Sequence, residues 1–194
     1  EMYAQFGLKP FMGGNSGTQM GGWFLKEINS VEDFKGLKMR IPGLAAEVLN
    51  RMGGTAVALP GGEIMPALQS GAIDATEWVG PWNDLAFGFH KITKFYYGPG
   101  FHEPSSALEC STNLEAFNEL DNELKSIIQN ACEAENTRMI SEFTAANIDA
   151  QEKLVREHGV IIRNFPKDVF NLMISISKDV VSETAAEGKL NKKI

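Results

Sequence analysis

Two consecutive helix–strand units constrain the fold of this chain more than any other feature. Residues 44–52 predict a helix closed by a glycine before a strand at 55–59, and residues 63–70 predict a second such helix before a strand at 72–79. Helices that alternate with strands in this way predict an α/β fold with a largely parallel sheet. In such sheets ligands bind beyond the carboxyl ends of the strands, where the strand order reverses.

The run GAIDATEWVGPWND (71–84) brings a carboxylate to the end of one predicted strand. Glu77 follows mostly apolar residues and precedes Trp78, and a buried Glu needs a positive partner or a proton. Arg40 ends the alternating strand at 37–41, and its guanidinium matches a carboxylate in two-point contact. The alternatives are a surface Glu and a solvated Arg. If Arg40 is such a clamp, Arg40→Ala is expected to abolish carboxylate binding and leave the fold intact.

Two further polar residues are candidates on weaker patterns. Glu103 precedes Pro104, which keeps the peptide extended, so Glu103 is either a ligand or a salt-bridged loop residue. Gln19 lies in a predicted glycine-rich loop at 11–22, but no GK[ST] follows, so a phosphate cradle is disfavoured. His102 is not expected to bind a metal, because no second His or Cys accompanies it.

Composition excludes several classes of function. The net charge is −7, with 18 basic against 25 acidic residues, which argues against nucleic acid as a partner. No window approaches 18 consecutive apolar residues, so no segment is predicted to insert into a membrane. Cys110 and Cys132 lack CxxC spacing and are predicted to be unpaired core residues, with a disulfide left open.

The carboxy-terminal half predicts long helices. Apolar positions recur near helical spacing over 121–158, which as one helix is ~55 Å long, and a final helix follows from 166 to about 187. One alternative function is therefore an assembly module built on the long helix.

Three strings carry a resemblance to a known family: MRIPG (39–43), LPGGEIMPALQSGAIDATEWVGPWNDLAFG (59–88) and YYGPGFHEP (96–104). They resemble DctP-type extracytoplasmic solute receptors of TRAP transporters, and most of all the 2-oxo acid (pyruvate-type) subgroup. The resemblance covers nearly the whole chain.

For the fold, the resemblance implies a periplasmic-binding-protein-like (type II-like) α/β lobe with hinge-crossing strands and long carboxy-terminal helices. Residues 1–76 would belong to the carboxy-terminal lobe, 77–104 would cross the hinge to an amino-terminal lobe, and 105–194 would return. It also implies a periplasmic location and a chain that lacks most of its amino-terminal lobe.

For the site, the resemblance implies that Arg40 pairs with the ligand carboxylate. Glu77, the main-chain carbonyl of Trp78, Gln19 and Glu103 would bind a metal, and Gln19, Trp78 and Glu103 would also contact the ligand. This all-oxygen shell suits Na⁺ or Ca²⁺. The oxo-acid subgroup favours Na⁺, with Ca²⁺ as the alternative.

The predicted function is therefore a receptor and not an enzyme. It captures a 2-oxo monocarboxylate with a metal ion, delivers it to TRAP membrane subunits, and forms a homodimer through its carboxy-terminal helices. The alternative is a hydrolase that uses Glu77 and Glu103 as an acid–base pair. The sequence contains no G-x-S-x-G motif that would indicate an enzyme, and none of the histidines (90, 102 and 158) lies near a plausible Ser or Cys partner.

Overall fold

A computed structural model describes residues 2–188, and their contacts divide them into two units. The first unit comprises residues up to 17 and 105–145, and the second comprises 18–104 and the residues from 146 onward. The strands are β1 (Leu8–Asn15), β2 (Gly22–Phe24), β3 (Lys38–Arg40), β4 (Thr55–Val57), β5 (Ala75–Thr76), β6 (Phe95–Gly98), β7 (Ala107–Asn113) and β8 (Ile161–Asn164). The α-helices are α1 (Leu44–Arg51), α2 (Gly61–Ser70), α3 (Pro81–Phe87), α4 (Leu114–Glu119), α5 (Asn122–Arg156) and α6 (Lys167–Ala186).

The first unit is built on an antiparallel ribbon of β1 and β7. Residues 11–15 belong to β1, so the predicted glycine-rich loop at 11–22 is wrong over its first half. Pairing with β7 supplies hydrogen bonds to this backbone, and glycine permits close approach: a side chain at Gly13 would meet the main-chain nitrogen of Cys110 at 3.2 Å. Cys110 is exposed and Cys132 half-buried, so neither is the core residue we predicted.

The second unit contains a six-stranded sheet in the order β4-β3-β5-β2-β6-β8. β2 is antiparallel to both of its neighbours, and the other pairs are parallel. The expectation of a largely parallel sheet is therefore confirmed, with β2 as the reversed strand. The expected strand at 72–79 is shorter than predicted, since only Ala75 and Thr76 pair.

Hydrophobic clusters cover both faces of this sheet because side chains alternate along each strand. Trp23 and Tyr96 lie in one cluster with residues of α2 and the end of α5. Phe24 and Tyr97 lie in the other, with residues of α1 and α6. Both faces of the sheet are thus covered by apolar side chains, so a polar site is expected at the ends of the strands.

The long helix is confirmed, since α5 runs over 35 residues. Among the helices of the described residues, none combines the length and the apolar character needed to span a membrane. The predicted lobe segments 1–76, 77–104 and 105–194 concern a longer receptor and stay a prediction.

Candidate functional site

The site is centred on an ion pair between the ends of two adjacent strands. Arg40 ends β3 and lies in parallel register with Thr76 of β5, so Glu77 is the next residue beyond the sheet. Arg40 Nη1 donates to Glu77 Oε1 and, at 3.0 Å, to the Glu77 main-chain oxygen. The side chains are 12% and 2% exposed. Glu77 is therefore buried with a positive partner, as its setting predicts.

The guanidinium of Arg40 is held on further sides. Its Nε donates to the main-chain oxygen of Leu59 at 3.3 Å. The Trp78 ring lies 5.1 Å from the guanidinium carbon, a cation–π arrangement, and packs against Phe87 with ring centroids 4.8 Å apart. Trp78 thus contributes its ring to the site, whereas the family resemblance implied a ligand contact and a metal-binding main-chain carbonyl.

His102 is the residue that sequence reasoning set aside. Its Nε2 lies 3.1 Å from Glu77 Oε2, and its side chain is 3% exposed. Each carboxylate oxygen of Glu77 therefore has its own partner, Arg40 on one side and His102 on the other. The sequence signal that could have pointed to His102 was its place in GFHEP, directly before Glu103. The absence of a second His argues against a zinc-type site, but it does not exclude a hydrogen bond to Glu77.

Backbone hydrogen bonds bring the chain around Gln19 and Glu103 together. Gln19 N donates to Pro104 O at 3.1 Å, and Gly100 N donates to Gln19 O at 3.0 Å. Gly100 is required by this approach, because a side chain there would meet the main-chain oxygens of Gln19 at 3.1 Å and Glu103 at 3.2 Å. The side chain of Gln19 is buried, whereas Glu103 is exposed.

A buried carboxylate behind the site fixes the backbone that carries Trp78. Asp84 accepts hydrogen bonds from Trp23 Nε1 at 2.9 Å, the Tyr96 hydroxyl at 2.7 Å and the main-chain N–H of Val79 at 3.2 Å. Burial raises the pKa of Asp84 to about 6. Sequence reasoning gave Asp84 no role, since a carboxylate in the first turn of a helix is ordinarily solvated.

The donor chemistry of these residues fits an oxygen-bound cation. Within residues 2–188, no three His, Cys, Asp or Glu side chains gather into a cluster that could hold a metal. A cation at Glu77 would therefore need amide, main-chain and ligand oxygens as well. Gln19 and Glu77 are buried oxygen donors, and such hard ligands suit Na⁺ or Ca²⁺.

Comparison with known families and curated proteins gives two matches over nearly the whole chain. The family described as "Bacterial extracellular solute-binding protein, family 7" (DctP) matches residues 2–187. A monocarboxylate 2-oxoacid-binding periplasmic protein of Nostoc sp. is 42% identical over 194 residues, which is 100% of this chain and 53% of that protein. The chain thus spans about half the length of this curated relative.

Two solved structures are similar in fold and sequence. A TRAP periplasmic solute-binding protein from Colwellia psychrerythraea, with bound calcium and pyruvate, has a TM-score of 0.92 and 44% identity. Another from Pseudoalteromonas atlantica T6c, with bound sodium and pyruvate, has a TM-score of 0.90 and 43% identity. Each match covers 98% of this chain and 58% of the other. The predicted periplasmic-binding-protein-like α/β fold is confirmed.

Proposed function

The chain belongs to the DctP family of bacterial extracellular solute-binding proteins, and on this premise we propose that it is the greater part of a TRAP-type receptor for small 2-oxo monocarboxylates. The receptor acts in the periplasm, binds a pyruvate-like acid together with Na⁺ or Ca²⁺, and delivers it to TRAP membrane subunits. The observation that carries this proposal is the position of Arg40 beside buried Glu77, beyond the carboxyl ends of two parallel strands.

The guanidinium of Arg40 is preorganised to bind a carboxylate in the ligand-free protein. Its hydrogen bonds within the described residues use Nε and Nη1, which leaves the Nη2 edge of the guanidinium for an anion. Leu59 and Glu77 fix the plane of the group, and Trp78 covers one face. Because the side chain is already ordered, binding costs less rotamer entropy than it would with a solvated Arg.

The same residues would hold the cation. We propose Gln19, Glu77, the carbonyl of Trp78 and Glu103 as its ligands, with Gln19, Trp78 and Glu103 also contacting the organic ligand. A bound cation would supply positive charge to the oxygens of a 2-oxo acid. Na⁺ is the proposed ion and Ca²⁺ the alternative, since one similar structure holds each with pyruvate.

The contacts favour binding over catalysis. In a glycosidase-type pair, two carboxylates flank the bond to be cleaved. Glu77 instead has Arg40 and His102 on its two oxygens, and the side chain of Glu103 is exposed. These contacts and the family membership disfavour the hydrolase alternative. Dimerisation through the carboxy-terminal helices would accompany binding and stays a prediction.

Calorimetric titration tests the proposal. Pyruvate is titrated into this chain, and into a chimera in which the chain replaces the matching part of the Nostoc relative, with sodium, with calcium, and after chelation. We expect cation-dependent binding in the chimera, and its loss in the chimera that carries Arg40→Met. A folded, ligand-free chimera that binds no 2-oxo acid under any condition would contradict the proposal.

A further inference from the structure

The first unit holds two neighbouring thiols that the proposed function does not use. Cys110 lies in β7 and Cys132 near the start of α5, and the two thiols are close enough for Cys110 to perturb the pKa of Cys132. Cys110 is exposed and Cys132 half-buried, so the pair is open to solvent on one side in this chain.

Packing between α5 and the ribbon of β1 and β7 keeps these thiols together. Met139 follows Cys132 by seven residues, so the two share one face of α5. Met139 lies against Gly14 of β1, where a side chain would collide with its sulfur. Gly13 likewise leaves no side chain beside Cys110, whose Cβ would be only 3.3 Å from a Cβ built there. The face of α5 that carries Cys132 therefore meets the ribbon at Gly14, and the adjacent strand of the ribbon carries Cys110.

We propose that Cys110 and Cys132 form a disulfide that fastens α5 to β7. A disulfide needs Cβ atoms about 3.5–4.5 Å apart, and two neighbouring thiols on packed elements of one unit can reach this separation by a small adjustment. The proposed location supports this step, because disulfides form and persist in the periplasm. In this respect the inference rests on the proposed function, but its test does not depend on ligand binding.

The bond forms by thiol–disulfide exchange with a disulfide-bonded oxidant. The thiolate of exposed Cys110 attacks one sulfur of the oxidant, forms a mixed disulfide and displaces one thiol. The sulfur of Cys132, after loss of its proton, then attacks the mixed disulfide and displaces the second thiol. The two cysteines lose two protons and two electrons, and the oxidant is reduced to two thiols. Partial burial and the neighbouring Cys110 raise the pKa of the Cys132 thiol, so less of it is thiolate at neutral pH and the second step should quicken as the pH rises.

The test is a thiol count on the folded chain. The 194-residue chain and the chimera with the Nostoc relative are incubated with oxidised glutathione, denatured, alkylated and weighed by mass spectrometry. We expect no alkylation of Cys110 and Cys132, a mass about 2 Da below that of the reduced protein, and a cross-linked peptide that contains both residues. We also expect the melting temperature to fall by at least about 5 °C when the bond is reduced.

Single variants provide the matched controls. Cys110→Ser and Cys132→Ser each retain one thiol, so oxidation should give only glutathione adducts or linked dimers, and a reductant should not change their intramolecular stability. If the oxidised wild-type protein keeps both thiols, or forms only such adducts and dimers, the proposal is wrong. That thiol count decides the question even if a serine variant fails to fold.

Discussion

Removing the positive partner of Glu77 tests the electrostatics of the site most directly. In Arg40→Met the carboxylate of Glu77, 2% exposed, keeps only His102 as a side-chain partner among residues 2–188. Breaking a buried ion pair from one side costs about 3–5 kcal/mol, and we expect about 3 kcal/mol because His102 remains and Arg40 is itself 12% exposed. The sequence alone predicts that loss of Arg40 leaves the fold intact, whereas the buried pair predicts a loss of stability, and the experiment decides between them.

The second half of the experiment removes the charge that is left behind. Glu77→Gln alone should cost only about 1 kcal/mol, because Arg40 can still reach solvent and the amide oxygen still accepts a hydrogen bond. The double variant Arg40→Met/Glu77→Gln carries no buried unpaired charge. We expect it to be about 2 kcal/mol more stable than the sum of the single effects predicts.

Urea unfolding followed by tryptophan fluorescence measures these differences, because all three tryptophans (Trp23, Trp78 and Trp82) lie in the second unit. Arg51→Met is the matched control. Arg51 pairs with Glu47 and Glu183 at the surface, where such pairs contribute less than about 1 kcal/mol. Additive effects within about 0.5 kcal/mol, or an Arg40→Met variant as stable as Arg51→Met, would refute the reasoning.

Three further predictions follow from other contacts. Glu103→Ala in the chimera should weaken pyruvate and cation binding together, each about tenfold or more, by calorimetry; loss of only one would show that they do not share a site. Asp84→Asn can keep an oxygen for Trp23 and Tyr96 only by placing its amide N–H against the main-chain N–H of Val79, and it should cost about 2 kcal/mol in urea unfolding, whereas an unchanged midpoint would deny Asp84 a structural role. Burial, reinforced by His158, lowers the pKa of His90, so the stability that neutral His90 contributes is present above about pH 6.5 and is lost as the pH falls. His90→Phe should therefore lose less stability than the wild type between pH 7.5 and 5.5, and equal losses would contradict this.

Most helices and strands could be predicted because their signals are local, whereas α4 was not. Glycines close the first two helices, and apolar spacing marks the long one, so α1, α2 and α5 lie within two residues of their predicted limits. A strand over 105–112 is predicted and matches β7, but β1 and its pairing were missed because that pairing joins residues about a hundred positions apart. Gly13 and Gly14 indicate a loop in the sequence, but they belong to a strand because β7 and α5 pack closely against them.

The candidate site was predictable only where a residue type and a strand end coincide. Arg40 and Glu77 follow apolar strands, and adjacent parallel strands bring their ends together. His102 and Asp84 have no such signal. The role of His102 depends on its approach to the Glu77 oxygen that Arg40 does not contact. The role of Asp84 depends on the donors of Trp23 and Tyr96 that surround it. Tertiary packing sets both arrangements.

The charges of the site give a reason why an anion and a cation would bind together. Arg40 brings one positive charge, whereas Glu77 and Glu103 bring two negative charges, so an anion alone would enter a region with a net negative charge. The pair of Arg40 with Glu77 also weakens the pull of Arg40 on a second carboxylate. A cation among these oxygens reverses that balance with Ca²⁺ and neutralises it with Na⁺. The buried ion pair therefore shapes binding in two ways: it keeps Arg40 ordered, and it makes tight anion binding depend on the cation.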